Sequence, residues 1–305
     1  MERYNSIGNY LKQKFGAKVF KVSLNGNFSC PNRDGIKGTG GCIYCNPESN
    51  RPFISQGNTI KEQLLEGIEY AKKRHQAAKF ISYFQHYSNT YADPKELKSL
   101  YNDAISDPDV AGLAISTRPD CLTADILDLL SEINQKTFLW LELGLQTAND
   151  ATLRTLNRHH SVKDFENAAI LAVKNGIKIC AHIILGLPGE TRSDLLNTIE
   201  LLNNLKIWGV KIHNLHVLKE TELAKMYARG EIRILELQEY ASMVVDCLEL
   251  LDPKILIHRF NSHSPKDLTI APEWSVNKLA ILNSVHNELL KRGTWQGRLF
   301  STPEK

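Results

Sequence analysis

Long apolar runs are missing from this chain of 305 residues. No stretch approaches the roughly 20 apolar residues that a helix needs to cross a bilayer. The opening segment, MERYNSIGNYLKQKFG, lacks the apolar core of a secretory signal. These gaps exclude a helical membrane span and leave no membrane partner to expect. An excess of one charge is missing too. The formal net charge is +3, which permits a nucleic-acid partner without arguing for one. Six cysteines are too few for a disulfide scaffold at this length, and the expected compartment is a reducing cytoplasm. There is no low-complexity linker, no added RNA-binding module and no internal repeat beyond the alternation described below.

The cysteines are few but unevenly placed. Cys30, Cys42 and Cys45 share one run, CPNRDGIKGTGGCIYC, with eleven residues between the first two and two between the last two. A Cys-x-x-Cys pair presents both sulfurs on one side of a short loop. Glycines between Cys30 and Cys42 free the chain to bring in the third sulfur. Three thiolates without an obvious fourth ligand make an open metal site, which suits chemistry better than scaffolding. A zinc-binding module, completed by a nearby histidine, is the other reading of the same residues. Cys121, Cys180 and Cys247 stand apart and read as small buried hydrophobes.

Beyond residue 50, helix and strand patterns alternate. Thr59 and Glu62 form a capping box for a helix running to about residue 74. Asp93-Pro94, Thr123 and Ser161 open three more, and residues 193–206 form another. Between them lie short apolar runs at 79–84, 110–117, 137–143, 177–185 and 210–215. With residues 18–24 ahead of the cysteine loop they make about six strands of parallel-sheet character. Such a βα series builds either a doubly wound sheet or a barrel. The cysteine loop follows the first strand, so its metal would lie at the C-terminal ends of the strands, where βα loops build active sites. From about residue 230 the pattern becomes helical, at 235–251 and 274–292, with a short strand ILIHRF between. The expected division is a barrel over residues 1–229 and an extension packed on it over residues 230–305.

In this setting the cysteine loop resembles that of the radical S-adenosylmethionine enzymes. STRPD (116–120), WLELGLQT (140–147), TLNRHH (155–160), HIILGLPGE (182–190) and GVKIHNLHVLKET (209–221) resemble the YhcC/YtqA-type family within that superfamily. The resemblance implies an α/β fold, a partial (β/α)6 TIM-like barrel with a small, mainly helical C-terminal extension. It implies that Cys30, Cys42 and Cys45 hold three irons of a 4Fe–4S cluster. S-adenosylmethionine would take the fourth iron through its amino and carboxylate groups. The commonest spacing is Cys-x3-Cys-x2-Cys. The wider first gap here is shared with the radical subunit of Elongator and its bacterial relatives.

Roles follow from the resemblance residue by residue. Tyr44 matches the aromatic position that touches adenine. Gln146 and Arg158 match the cofactor glutamine and the carboxylate-pairing arginine of oxygen-independent coproporphyrinogen oxidases. A guanidinium suits a carboxylate because it donates two hydrogen bonds at once. From the residues alone, Arg158 also reads as a solvated helix-end cation, and Gln146 as a satisfied core amide. Ser116 and His182 stand where relatives carry ribose-binding acids, so their geometry must differ. The superfamily's Gly-Gly-Glu is replaced by Phe84-Gln85-His86, where the Gln85 carbonyl could receive the methionyl amine.

The implied chemistry is reductive cleavage of S-adenosylmethionine to a 5′-deoxyadenosyl radical, fed by a flavodoxin- or ferredoxin-type electron donor. Glu142 shares a strand face with Gln146, and an inward carboxylate must be paired, to substrate, cofactor or a structural cation. His213 and His216, three apart in an expected strand, should face opposite sides. Gly186–Glu190 reads as a turn close to a ligand or as a plain β-to-α turn. The Elongator resemblance favours the wobble uridine of tRNA as substrate. Lys278, Lys291, Arg292, Arg298 and Trp295 are then candidates for gripping RNA, or a solvated helix face. A radical reaction on a small molecule, as in the porphyrin-pathway relatives, is the alternative.

Overall fold

The computed structural model describes residues 3–50, 59–262 and 264–301. In chain order its elements are α1 (Ile7–Phe15), β1 (Val19–Leu24), α2 (Ile60–His75), β2 (Lys79–Phe84), α3 (Pro94–Ala104), β3 (Val110–Thr117) and α4 (Ala124–Lys136). Then come β4 (Phe138–Gln146), α5 (Asp150–Thr155), α6 (Val162–Lys174), β5 (Lys178–Leu185), α7 (Arg192–Asn204), β6 (Gly209–Asn214) and β7 (Val217–Leu218). The last are α8 (Glu222–Ala228), α9 (Leu237–Leu250), β8 (Leu256–Arg259), β9 (Thr269–Ala271) and α10 (Lys278–Lys291).

Helix starts follow the expected caps. Thr59 and Glu62 close a reciprocal capping box, as do Ser161 and Asp164, while Asp93 and Thr123 accept backbone N–H groups. Each such cap stabilises its helix by about 1 kcal/mol. The strands pair in the order β1-β2-β3-β4-β5-β6-β8, every neighbour parallel. β1 and β8 do not meet, so the curled sheet is a partial barrel. The ILIHRF segment supplies β8, which pairs Leu256 with Gly209 and, past a bulge, Arg259 with Lys211. The sheet therefore has seven strands, and residues beyond 230 contribute to the barrel wall.

Alternation along the strands sorts side chains onto two faces. Phe80, Leu113, Leu141, Ile179 and Val210 face the helices. Ile81, Ala114, Trp140, Cys180 and Leu256 face inward. Their N-terminal end is plugged by Ile7 and Leu11 of α1, one helical turn apart on one face. Burial of each such side chain stabilises by about 1.5–3 kcal/mol. The Ser6 hydroxyl caps α1, and Gly16 at φ 66° ends it. With its floor closed by apolar packing, the barrel opens only at the C-terminal ends of its strands. There β7 and β9 pair antiparallel, and α8 joins them over Leu156, Leu187 and Leu215. Ile43 and Tyr44 of the cysteine loop pack on this cluster. Cys121, Cys180 and Cys247 are all buried.

Candidate functional site

Two motifs pin the cysteine loop. Asn157 donates from its side chain to the Gly41 carbonyl at 2.7 Å, and Ile43 N–H donates to Leu156 at 3.1 Å. The Asn32 amide returns a bond to the Asn157 carbonyl at 2.6 Å. Lys37 reaches Asp120 at 2.7 Å, and Arg118 grips Asp120 at 2.9 and 3.0 Å. TLNRHH and STRPD thus act as anchors of the loop. Gly40 and Gly41, at φ 78° and 82°, make the turn into Cys42 that L side chains rarely adopt.

All six cysteines are free. Cys45 N–H donates to the Cys42 carbonyl at 3.0 Å, which puts both residues on one turn. Burial pushes the Cys42 thiol up. Arg158, whose Nη1 is 3.4 Å from Sγ, and Arg118 outweigh it and leave the thiol below its ordinary value. Cys45 moves the other way, to about 11, through burial and then the Cys42 and Cys30 charges, against Arg33. Cys45 therefore senses both partners. Among the described residues no three His, Cys, Asp or Glu side chains already form a metal cage. The three thiols share one loop, with a buried cation at one of them, and this donor set fits a thiolate-held iron–sulfur cluster.

A cavity of about 230 Å³ opens at the C-terminal ends of the strands. Tyr44, Gln85, Ser116, Gln146, Arg158 and His182 all line it, together with Cys45. Cys42 and Cys45 line a second cleft outside the loop, and Cys30 lines neither. Arg158 is buried and is no solvated helix-end cation. Its other contacts are Gly144 O at 3.0 Å, His160 at 3.1 Å and the Tyr44 hydroxyl at 3.5 Å. A Cβ at Gly144 would lie 2.6 Å from the Gln146 amide nitrogen and 2.9 Å from Arg158 Nη2, so a larger residue there would displace the ends of both side chains. Gln146 has φ 75°, at a break in the β4–β5 ladder that turns it to the cavity.

Deeper in the barrel, Glu142 is surrounded by donors. It pairs with Lys211 and with Lys21 at 3.4 Å. It also accepts from Tyr83 at 2.5 Å, Ser116 and Trp140 at 3.2 Å, and lies 3.1 Å from His182 Nε2. Burial would raise this carboxyl, but Lys211 and Lys21 hold it well below the carboxylate range. Burial also lowers His182 to about 4 and Lys211 to about 7, with Glu142 opposing both. Ser116 and His182 therefore reach the cavity already engaged with Glu142. Lys21, Tyr83 and Lys211 join this site only in the folded chain. A lysine interrupting an apolar strand, as in VFKVSL and GVKIHN, was the available signal.

Three expectations need correction or refinement. His213 and His216 line the same cavity, because β6 ends at Asn214 and strict alternation ends with it. His213 lies beside His182, ring centroids 5.0 Å apart, while His216 meets the Ser275 hydroxyl at 3.2 Å. Gly186–Glu190 is a β-to-α turn with positive φ at Gly186 and Gly189, packed toward Leu235 rather than into the main cavity. Arg292 is no free RNA contact, since Asp246, Glu288 and Glu249 hold it at 2.6, 2.7 and 3.3 Å.

An open parallel barrel with three thiols on the loop after β1, and a polar cavity beside them, is the arrangement that the resemblance to radical S-adenosylmethionine enzymes implies. Comparison with known proteins agrees. The radical SAM superfamily profile matches residues 36–202, and the radical SAM C-terminal domain matches residues 207–291. YtqA of Bacillus subtilis (strain 168) is 38% identical over 307 residues, covering 100% of this chain and 95% of its own length. The tRNA uridine(34) acetyltransferase of Methanocaldococcus infernus is 32% identical over 148 residues, 47% of this chain and 26% of its own. The solved archaeal Elp3 of Methanocaldococcus infernus shares the fold, with TM-score 0.72 and 17% identity over 91% of this chain and 64% of that one. The chain belongs to the radical SAM superfamily. Its cofactors are a 4Fe–4S cluster and S-adenosylmethionine. Among the described residues no helix is long and apolar enough to cross a membrane.

Proposed function

We propose that this enzyme modifies the side chain of the tRNA wobble uridine, in a reducing cytoplasm with a flavodoxin- or ferredoxin-type electron donor. The observation that carries the substrate is the 148-residue similarity to a protein named for tRNA uridine 34. When bound and reduced by the external donor, the cluster would supply the one electron that cleaves the C5′–S bond of S-adenosylmethionine into methionine and a 5′-deoxyadenosyl radical. Cys30, Cys42 and Cys45 would hold the cluster. Arg158, bonded to the Gly144 carbonyl and set beside Cys42, offers its fork to the methionyl carboxylate. Gln85 receives the methionyl amine. Tyr44 would lie against the adenine, Ser116 and His182 would meet the ribose hydroxyls, and Gln146 would contact the cofactor from β4. His182 remains neutral at physiological pH, and so can accept or donate a hydrogen bond without bringing charge.

A small-molecule substrate is the second reading, favoured by the cavity itself. Its lining lies inside the mouth of the barrel, so beside the cofactor it offers room for one base or one small molecule and no surface for a folded RNA. The test is to incubate the reduced, anaerobic enzyme with S-adenosylmethionine and bulk tRNA from a strain lacking the gene. The proposal expects 5′-deoxyadenosine formation to rise with tRNA and one nucleoside to change. Cleavage indifferent to tRNA at all salt concentrations, with no altered nucleoside, refutes it.

A further inference from the structure

Glu142 is the one carboxylate among the described residues lining the cavity at the barrel mouth, against Arg118, Arg158 and Arg259. Two of these cations are engaged. Arg118 holds Asp120, and Arg158 lies at Cys42. Arg259 is different. It sits on β8 as the ladder partner of Lys211, so two cations stand side by side on the inner wall. Lys211 has Glu142, whereas no carboxylate among the described residues pairs with Arg259. Its polar contact is a long one, Nη2 to His213 Nε2 at 3.5 Å. Its Nε is buried with no hydrogen-bond partner among the described residues. A guanidinium only donates, so His213 must present an unprotonated Nε2 to it, and no charge is balanced there.

An uncompensated cation at the wall of a cavity is costly unless something neutralises it. We propose that Arg259 is the anchor for an anionic group of the substrate, a carboxylate or a phosphate. Its planar fork fits either anion with paired hydrogen bonds. Ser262 and Ser264 line the same cavity and add hydroxyls. The anchor is separate from the one assigned to the cofactor: Arg158 belongs to the cysteine loop, Arg259 to β8. The inference rests on this cavity receiving the substrate, and does not depend on that substrate being RNA.

The test uses reconstituted enzyme saturated with S-adenosylmethionine, so that the cofactor's own carboxylate is already placed. Acetate, acetamide and inorganic phosphate are titrated as probes by ligand-observed NMR on the wild type, Arg259→Gln and Arg259→Lys. The wild type should bind at least one anion about tenfold or more tighter than neutral acetamide. Whichever of acetate and phosphate binds tighter identifies the group. Arg259→Gln should abolish that preference, and Arg259→Lys should keep part of it, with S-adenosylmethionine affinity unchanged in both. Equal binding of acetate, phosphate and acetamide by the wild type overturns the proposal. So does an anion preference that survives Arg259→Gln, or a parallel loss of S-adenosylmethionine binding. None of these probes is a nucleic acid, so failure here is distinct from failure of the tRNA assignment.

Discussion

Replacing Glu142 by glutamine removes one negative charge from between two lysines. Lys21 Nζ lies 3.4 Å from Oε1, an attraction of about 5 kcal/mol at an effective dielectric near 20, before desolvation is subtracted. Lys211 is closer and fully enclosed, with its side chain 3% exposed, so it bears most of the loss. Orphaning one member of a buried pair costs about 3–5 kcal/mol. Tyr83, Ser116 and Trp140 can still donate to the amide oxygen, which puts Glu142→Gln near the lower end, about 3 kcal/mol. Adding Lys211→Met removes the orphaned cation and should recover about 2 kcal/mol of that loss. Urea unfolding of the anaerobic protein followed by circular dichroism reads both, as shifts in midpoint at constant slope. A loss under about 1 kcal/mol for Glu142→Gln would refute the reasoning. So would a double variant as unstable as the sum of the two single changes.

Acid should destabilise the fold through His182. Burial, with Lys211, holds this ring neutral in the folded chain down to about 4, while its ordinary value is 6.5. Between those limits the unfolded chain binds the extra proton, so stability falls as pH falls from 6.5 to about 4, by up to about 3 kcal/mol. His182→Asn should flatten the dependence of the urea midpoint on pH over this window, and an unchanged slope counts against it. Arg158→Lys keeps the charge and loses the fork. It should weaken S-adenosylmethionine binding by about 2 kcal/mol, roughly thirtyfold in equilibrium dialysis, with iron content retained. Wild-type affinity in that variant would remove Arg158 from the cofactor.

Much of the barrel was readable because local chemistry and packing agree. Thr59, Asp93, Thr123 and Ser161 announce their helices through side chains that bond the first turn, and apolar runs mark strands covered on both sides. α1 is easily missed although Ser6 and Gly16 bound it and Ile7, Tyr10, Leu11 and Phe15 stand at helical spacing, since the helix is only 9 residues long. β8 was read as a strand, but its pairing with β6 is a long-range contact that four residues cannot announce. At the site, the family resemblance carried by the cysteine loop and the ordered motifs named six residues that the structure places on one cavity. The cations behind Glu142 were hidden because each lies on a different strand, and only closure of the sheet makes them neighbours. His213 and His216 went wrong because alternation was carried past the strand's end.

The cysteine triad is the centre of the account, and metal analysis with activity tests it most directly. Wild-type protein and the single variants Cys30→Ala, Cys42→Ala and Cys45→Ala are reconstituted without oxygen, assayed for iron and sulfide, then reduced with S-adenosylmethionine. The wild type should carry about four irons and four sulfides per chain and form 5′-deoxyadenosine, and each variant should lose both. Colourless wild-type protein with one zinc, or a variant of Cys30, Cys42 or Cys45 that keeps the full cluster and its cleavage activity, would contradict it.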